Sequence, residues 1–309
     1  MKVAIFGGTG FVGNYIISEL LENNYDVNVL VRSGSENKLV DPDKCNIING
    51  NIDDMDAVEE VIKNSDVVIY NIGIIREFKS KDITYDKLHF EGAKLTIDLS
   101  KKYSIDRFIM MSANGVKPNG TGYQSTKYDA DVYLKNNIKN WTIIRPSLVF
   151  GDSNGKKEFC SELKKDMLSL PIPAPAFFSG LNIFSAGKFK MSPIHVKDVA
   201  KVFVNCINNN HAFKKVYELG GKDFNWKEII SIISKAYNKK KMTIPAPALF
   251  IYSIAFLFDR FSWFPISRDQ ITMLLEGNTC NSDIIFKRYN IKPIEFKSDN
   301  LSYLINGKK

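Results

Sequence analysis

The chain has 309 residues, of which 44% are hydrophobic and 25% are charged, a balance typical of a globular protein with a full hydrophobic core. Its formal net charge is +8, but no zinc finger, basic helix or RNA-binding pattern accompanies the scattered lysines, so nucleic acid is excluded as a predicted partner. The four cysteines are too widely spaced for a short metal-ligand motif, and no signal peptide pattern opens the chain. These features predict a cytoplasmic protein without a metal site.

A short apolar strand leads directly into a glycine-rich turn at the start of the chain. A helical pattern follows the turn, and the next strand covers residues 27–31, the distance that a βαβ unit requires. Glycines at this spacing permit a tight bend, a close approach to a pyrophosphate and close packing of the helix on the strand. The turn therefore predicts a dinucleotide site, formed by Gly7, Thr9, Gly10, Phe11, Val12 and Gly13.

Strand-like and helix-like segments then alternate through the first half of the chain. Further apolar runs lie at residues 45–48, 67–70, 108–111 and 141–144, and helical patterns at residues 54–63, 85–103 and 123–136 separate them. This alternation predicts an α/β fold, a doubly wound parallel Rossmann sheet, with the cofactor at the carboxyl ends of the strands. We expect the nucleotide-binding domain to cover residues 1–151.

The pattern changes after Gly151. Residues 152–193 contain four prolines and many aromatic side chains, so they cannot form one regular element. We expect a helix over residues 156–168 and, in the rest of the stretch, a long loop above the cofactor cleft. A helix over 196–208, a strand over 216–219 and a helical C-terminal portion follow. Residues 152–309 are expected to form a smaller substrate or lid portion, with elements that return to the Rossmann sheet.

The segment of residues 248–264 is apolar on nearly every helix face and ends close to Trp263. It is shorter than the roughly 18 residues that a membrane-spanning helix needs. Such a helix is either buried in the core or in contact with a membrane surface. The sequence favours burial, and peripheral contact with an anionic membrane is the alternative.

A tyrosine and a lysine four residues apart are the strongest candidates for catalysis. Tyr123 and Lys127 lie on one face of a predicted helix, and Ser112 directly follows the strand of residues 108–111. The ammonium can lower the pKa of the phenol and hold a ribose, while the phenol exchanges a proton with a substrate oxygen that Ser112 also contacts. An exposed surface pair is the alternative for Tyr123 and Lys127.

These motifs resemble the short-chain dehydrogenase/reductase family, in particular its extended and atypical branches, which are epimerase/dehydratase-like. Tyr123 to Lys127 fits the family's Tyr-x-x-x-Lys motif, and residues 145–151, Arg-Pro-Ser-Leu-Val-Phe-Gly, resemble the segment that lines the nicotinamide pocket. The resemblance implies that Ser112, Tyr123 and Lys127 are catalytic. It also implies that Lys127 and Pro146 contact the cofactor.

Further positions match the family's cofactor contacts. Asn51 and Ile52 stand where the family contacts adenine, with asparagine in place of the usual aspartate, and Asn71 and Gly73 match the turn under the cofactor. Arg32 ends the second strand, where an acidic residue would select NAD(H) and an arginine selects the 2′-phosphate of NADP(H). NADP(H) is therefore favoured over NAD(H). The "His-Val-x-Asp-Val-Ala" string of residues 195–200 implies a structural histidine.

The segment His89-Phe90-Glu91-Gly92-Ala93 narrows the resemblance. It is similar to the branch of the NADPH-binding accessory subunit of respiratory complex I and its bacterial relatives, and it implies that His89 caps or packs rather than reacts.

Two functions stay open. One is an oxidoreductase or isomerase acting on a carbonyl or alcohol carbon of a small-molecule substrate. The other is a non-catalytic, NADPH-holding structural or assembly subunit, with a respiratory-chain or quinone-pathway partner at the inner face of a membrane.

Overall fold

The computed structural model describes residues 1–259, 261, 264 and 266–305, and the chain divides into two compact units. Unit 1 comprises Met1–Pro146, Val196–Leu219 and Asp283–Ile291. Unit 2 comprises Ser147–His195, Gly220–Ser282 and the described residues from Lys292 onward.

The strands follow the chain through both units. In chain order over the described residues they are β1 (Lys2–Phe6), β2 (Asp26–Val31), β3 (Cys45–Asn49), β4 (Val67–Tyr70), β5 (Arg107–Met111), β6 (Asn140–Pro146), β7 (Val149–Phe150), β8 (Ala174–Phe178), β9 (Lys190–Met191), β10 (Ile194–His195), β11 (Lys215–Leu219), β12 (Phe224–Asn225) and β13 (Thr243–Pro247).

The helices alternate with these strands. The α-helices are α1 (Phe11–Glu22), α2 (Met55–Ile62), α3 (Gly92–Lys102), α4 (Gly122–Asn137), α5 (Phe159–Leu163), α6 (Val196–Ile207), α7 (Trp226–Ala236), α8 (Ala248–Phe258), α9 (Arg268–Glu276) and α10 (Asp283–Arg288). Two π-helical segments, Asp86–Glu91 and Lys164–Leu168, precede α3 and follow α5, and short 3₁₀ turns join other elements.

Unit 1 is built on a seven-stranded sheet with the strand order β11-β6-β5-β4-β1-β2-β3. Every pair of neighbouring strands in it is parallel. Helices α2, α3 and α4 pack with the sheet around one hydrophobic cluster, and α1 packs against α6. The sheet confirms the predicted doubly wound parallel Rossmann fold.

The residues of β1 explain why the sequence folds in this way. Val3, Ala4, Ile5 and Phe6 are all completely buried, so both faces of the strand are covered. A strand covered on both faces needs a continuous apolar run instead of alternation, because no side chain reaches water. Several of the helices start at polar caps; in α4 the side chain of Thr121 accepts the backbone N–H of Gln124.

The glycine turn between β1 and α1 is fixed by close approaches of the backbone. Gly7 has φ +89°, which is the left-handed region that favours glycine. A Cβ on Gly13 would lie 2.1 Å from the carbonyl oxygen of Gly7, well inside van der Waals contact. Helix α1 can therefore approach the end of β1 only because position 13 has no side chain.

Unit 2 contains a strand where the sequence predicts a loop. Residues 174–178 form β8, which pairs in parallel with β13. The predicted long loop over 152–193 is therefore wrong at these residues. Prolines at 175, 245 and 247 hid the pairing, but each strand of a two-stranded sheet has a free edge, where a missing N–H is tolerated. The predicted helix of residues 156–168 begins only at Phe159, as α5, and continues as the π-helical segment.

Helix α8 is exposed rather than buried. Leu249 and Phe250 keep 76% and 64% of their surface exposed, and Ala248 and Ala255 are the buried positions of the helix. The prediction of a core helix over 248–264 is therefore wrong for the described residues. Trp263, close to the end of the predicted segment, lies outside the described residues. Across the described part of the chain, the helices are all too short or too polar to cross a bilayer.

The contact of Gly13 gives a test of the turn. We expect Gly13→Ala to lower the free energy of unfolding by about 1–3 kcal/mol, because the new Cβ forces α1 away from β1. Urea denaturation measures this loss. Ser18→Ala, on the same helix, is the matched control and should change stability by less than about 0.5 kcal/mol. Equal stability of the two variants would contradict the packing argument.

Candidate functional site

The N-terminus of α1 is open to an anion. Its N-cap residue, Gly10, provides no side-chain hydrogen bond, and no acidic residue lies in the first turn. The first N–H groups of a helix have no partner within the helix, and the helix dipole adds positive potential there. The turn formed by residues 7–13 thus has the donors and the close backbone approach that a pyrophosphate needs.

Two other predicted cofactor positions flank this turn on β2 and β3. Arg32 directly follows β2 and is exposed, and within the described residues its guanidinium makes no hydrogen bond or ion pair. Asn51 is exposed after β3, whereas Ile52 is buried in the hydrophobic cluster of unit 1. The first two side chains are therefore accessible to a ligand, and Ile52 offers mainly backbone.

The loop after β4 connects the glycine turn with α4. The backbone N–H of Asn71 donates to the carbonyl of Phe6 at 2.9 Å, which holds the loop beside β1. A Cβ on Gly73 would lie 3.3 Å from Nζ of Lys127, so the loop passes directly over the lysine head group. The predicted residues Asn71, Gly73 and Lys127 are thus brought together. Pro146 ends β6, where its carbonyl accepts the N–H of Asn114 at 3.0 Å.

Tyr123 and Lys127 lie on one face of α4, as their spacing predicts. Nζ of Lys127 is 5.8 Å from the ring centroid of Tyr123, and it donates to the carbonyl of Met111 at 3.3 Å. Burial lowers the pKa of Lys127 to about 8, and the charge of Asp131 opposes that shift. Burial also raises the pKa of the Tyr123 phenol above its ordinary value, so the phenol is protonated at neutral pH.

A buried carboxylate lies one helical turn after the lysine. Asp131 has no exposed side-chain surface, and its Oδ2 accepts two hydrogen bonds from Arg145, at 3.0 Å from Nε and 2.7 Å from Nη2. Burial raises the pKa of the Asp131 carboxyl, and the charge of Arg145 opposes this rise. Asp131 is not among the site residues predicted from the sequence. Its spacing from Lys127 could have identified it, because residues i and i+4 of a helix lie on the same face.

Ser112 lies beside this carboxylate. Its hydroxyl is close enough to the Asp131 carboxyl to lower the pKa of that group. Within the described residues, however, Ser112 Oγ is buried and makes no hydrogen bond of standard geometry. The side chains of His89, Ser112, Lys127 and Asp131 pack so closely that no water molecule fits between them.

His89 joins the loop after β4 to α4. Its Nε2 accepts the backbone N–H of Ile74 at 3.1 Å, so the ring proton lies on Nδ1, which donates to Oγ1 of Thr126 at 3.1 Å. The hydroxyl of Thr126 in turn donates a hydrogen bond to the carbonyl of Gly122 at 2.8 Å. The imidazole also packs edge-on against the Tyr123 ring, with centroids 5.2 Å apart. This geometry matches the packing role that the sequence implied for His89.

The imidazole gives a pH-dependent test. Burial lowers the pKa of His89 to about 2 from its ordinary value of 6.5, so the folded state keeps it neutral. Its stabilising contribution is complete above pH 6.5 and is lost as the pH falls, because the unfolded state then binds the extra proton. Below that pH we expect the stability of the wild type to fall more steeply than that of His89→Gln, by up to about 1.4 kcal/mol per pH unit.

Urea denaturation at a series of pH values measures both slopes. His211→Gln, which removes an exposed imidazole of the same unit, is the control and should keep the wild-type slope. Identical slopes for the wild type and His89→Gln would contradict a buried neutral imidazole.

Comparisons with known proteins identify the family and the fold of the chain. The model of the NAD(P)H-binding family matches residues 7–169 of the chain. The chain is 24% identical over 308 residues to the mitochondrial NADH-ubiquinone oxidoreductase 40 kDa subunit of Neurospora crassa, covering 97% of this chain and 78% of the relative. It is 26% identical over 281 residues to the mitochondrial NADH dehydrogenase [ubiquinone] 1 alpha subcomplex subunit 9 of Dictyostelium discoideum, covering 88% and 74%.

A solved structure shares the fold. The UDP-glucose 4-epimerase of Thermus thermophilus, in complex with NAD, superimposes with a TM-score of 0.72 at 15% identity and covers 99% of this chain and 98% of that one. The resemblance drawn from the sequence motifs is therefore confirmed at the level of family and fold. The chain belongs to the NAD(P)H-binding family and has the epimerase/dehydratase-like fold of the short-chain dehydrogenases/reductases.

Proposed function

We propose that the chain is an NADP(H)-dependent oxidoreductase or isomerase that acts on a carbonyl or alcohol carbon of a small-molecule substrate. The observation that carries this proposal is the pair of Tyr123 and Lys127 on one face of α4, with the lysine head group directly under the Gly73 loop. Residues 1–151 hold the cofactor in this proposal, and residues 152–309 supply the substrate contacts.

Each predicted residue has a role in the reaction. The nicotinamide, when bound, accepts or donates the hydride. Tyr123 transfers the proton to or from the substrate oxygen, and its raised pKa suits a proton donor in carbonyl reduction. The Lys127 ammonium favours the phenolate that this step leaves and holds the ribose. Ser112, with an unsatisfied hydroxyl, hydrogen-bonds the substrate oxygen.

The second candidate is an accessory subunit that holds NADPH without turnover. Two observations favour it. The relatives from Neurospora and Dictyostelium, which match most of the chain, are named as mitochondrial subunits of NADH-ubiquinone oxidoreductase and of NADH dehydrogenase [ubiquinone]. The Ser112 hydroxyl also lies beside Asp131 in a cluster too tightly packed to admit a water molecule. In this role the chain would work from the cytoplasm at the inner face of a membrane, with a respiratory-chain or quinone-pathway partner.

Replacing the phenol separates the two candidates. For an enzyme we expect Tyr123→Phe to reduce turnover about a hundredfold or more while NADPH affinity stays nearly unchanged, because only the transferred proton is lost. Turnover is read from the nicotinamide absorbance while carbonyl compounds are added. Tyr128→Phe on the same helix is the matched control. Full activity of Tyr123→Phe would refute the catalytic proposal, and an inert wild type with tightly held NADPH would favour the accessory role.

The cofactor preference rests on Arg32. We expect Arg32→Glu to weaken NADPH binding about tenfold or more, because a carboxylate replaces the cation that would pair with the 2′-phosphate. NADH affinity should stay the same or rise. Titration with both nucleotides measures the ratio, and Lys63→Glu makes the same charge change at another exposed position of unit 1. An unchanged preference in Arg32→Glu would overturn the assignment of NADP(H).

A further inference from the structure

The side-chain amide of Asn14 joins the glycine turn to the loop that follows β2. Asn14 is the fourth residue of α1, and only 7% of its surface is exposed. Its Nδ2 donates to the carbonyl of Gly10 at 2.9 Å and to the carbonyl of Lys38 at 3.0 Å. Gly10 belongs to the turn predicted to bind the pyrophosphate, whereas Lys38 lies in the loop that begins with Arg32. One buried amide therefore contacts two parts of the predicted dinucleotide site.

A series of hydrogen bonds connects this amide with the backbone of Arg32. We call residues 32–39 the β2 loop. Within it the N–H of Lys38 donates to the carbonyl of Ser35 at 3.1 Å, and the N–H of Ser35 donates to the carbonyl of Arg32 at 2.9 Å. Because the two turns share Ser35, a displacement of the Lys38 backbone also displaces the backbone of Arg32. The bond from Asn14 to Lys38 therefore controls where Arg32 stands.

The amide is kept at a cost in stability. Oδ1 of Asn14 is buried and, within the described residues, has no hydrogen-bond partner. Turning the amide over would not help, because Oδ1 would then face the carbonyl oxygens of Gly10 and Lys38. A buried acceptor without a partner costs about 1–3 kcal/mol, which offsets most of the gain from the two hydrogen bonds. What the asparagine provides is therefore the fixed direction of its Nδ2 donors.

We propose that Asn14 is a positioning residue for nucleotide selectivity, which holds the β2 loop so that Arg32 reaches the 2′-phosphate of NADP(H). The inference rests on the proposed function, in which Arg32 pairs with that phosphate. The guanidinium of Arg32 is exposed, so the position of its backbone decides which volume the side chain can reach. Pairing of a guanidinium with a phosphate depends strongly on geometry, because two parallel hydrogen bonds need a fixed relative orientation.

The two contacts of Asn14 differ in how far they depend on its side chain. The carbonyl of Gly10 also accepts the backbone N–H of Asn14, at 3.2 Å, and this bond remains whatever side chain stands at position 14. The contact with Lys38 is made by Nδ2. Loss of the amide should therefore disturb the β2 loop and leave the glycine turn in place. The contact with the 2′-phosphate is then weakened selectively, because NADPH and NADH share the rest of the dinucleotide.

Equilibrium titration of the full chain with NADPH and with NADH tests the proposal. We expect Asn14→Leu, a change of similar volume without a donor, to weaken NADPH binding about tenfold and NADH binding less than about twofold. A merely structural role would weaken both nucleotides equally. Asn23→Leu makes the same change at the C-cap of α1, where the amide donates to the carbonyl of Glu19, and should keep the wild-type ratio of the two affinities.

A double-mutant cycle measures whether Asn14 acts through Arg32. Added to Arg32→Ala, Asn14→Leu should change the ratio of the two affinities by less than about twofold, because the cation that it positions is absent. A further loss of about tenfold in that background would overturn the proposal. An equal effect of Asn14→Leu alone on NADPH and NADH would overturn it too, as would no effect on either nucleotide.

Circular dichroism and urea denaturation check that each variant is folded, and Asn14→Ala, which adds no volume, takes the place of Asn14→Leu if that variant does not fold. An unchanged ratio of affinities in Arg32→Ala would refute the assignment of NADP(H) and, with it, the role of Asn14. A changed ratio in Arg32→Ala together with the wild-type ratio in Asn14→Leu would refute the role of Asn14 alone. The failure of the inference is thus distinguishable from the failure of the proposed function.

Discussion

The buried carboxylate of Asp131 is the constraint on which the arrangement of α4 depends. A buried carboxylate is costly unless cations compensate it, and here Arg145 on β6 pairs with it through two hydrogen bonds. Lys127, one turn earlier on α4, is the second cation whose charge acts on it. Removing one partner of such a pair typically costs about 3–5 kcal/mol, because the remaining charge stays buried. The pair therefore fixes α4 against the sheet at the level of Lys127.

A second contact fixes the first turns of the same helix. His89 bonds Ile74 of the loop after β4 on one side and Thr126 of α4 on the other. Thr126 lies between Tyr123 and Lys127 in the chain, so the two candidate catalytic side chains are held by a neutral imidazole and by a buried ion pair. Neither contact needs a bound substrate. Tyr123 and Lys127 are thus preorganised by residues that would not themselves touch the reacting atoms.

The sequence predicted those parts of the molecule in which one local pattern has one physical solution. The apolar run of β1 is compatible with little other than a buried strand, and the glycines at 7 and 13 with little other than a tight turn packed against a helix. The structure confirms the strand and the turn. Asp131 was missed because a single acid in a polar helix face is ordinary until Arg145 is known to lie opposite it. Strand β8 was missed because Pro175 is compatible with a loop and with an edge strand, and only pairing with β13 decides between them.

The exposure of helix α8 could not be predicted from the sequence either. A helix that is apolar all round satisfies burial in a core and contact with lipid equally well, so composition alone cannot separate the two. The packing of unit 2 excludes full burial, because Ala248 and Ala255 are buried and Ile251 packs partly against the core, whereas Leu249, Phe250 and Phe256 stay exposed. All predicted dinucleotide contacts belong to unit 1, whereas the exposed helix α8 belongs to unit 2. The residues predicted to contact a dinucleotide and the exposed side chains of α8 are therefore separate sets.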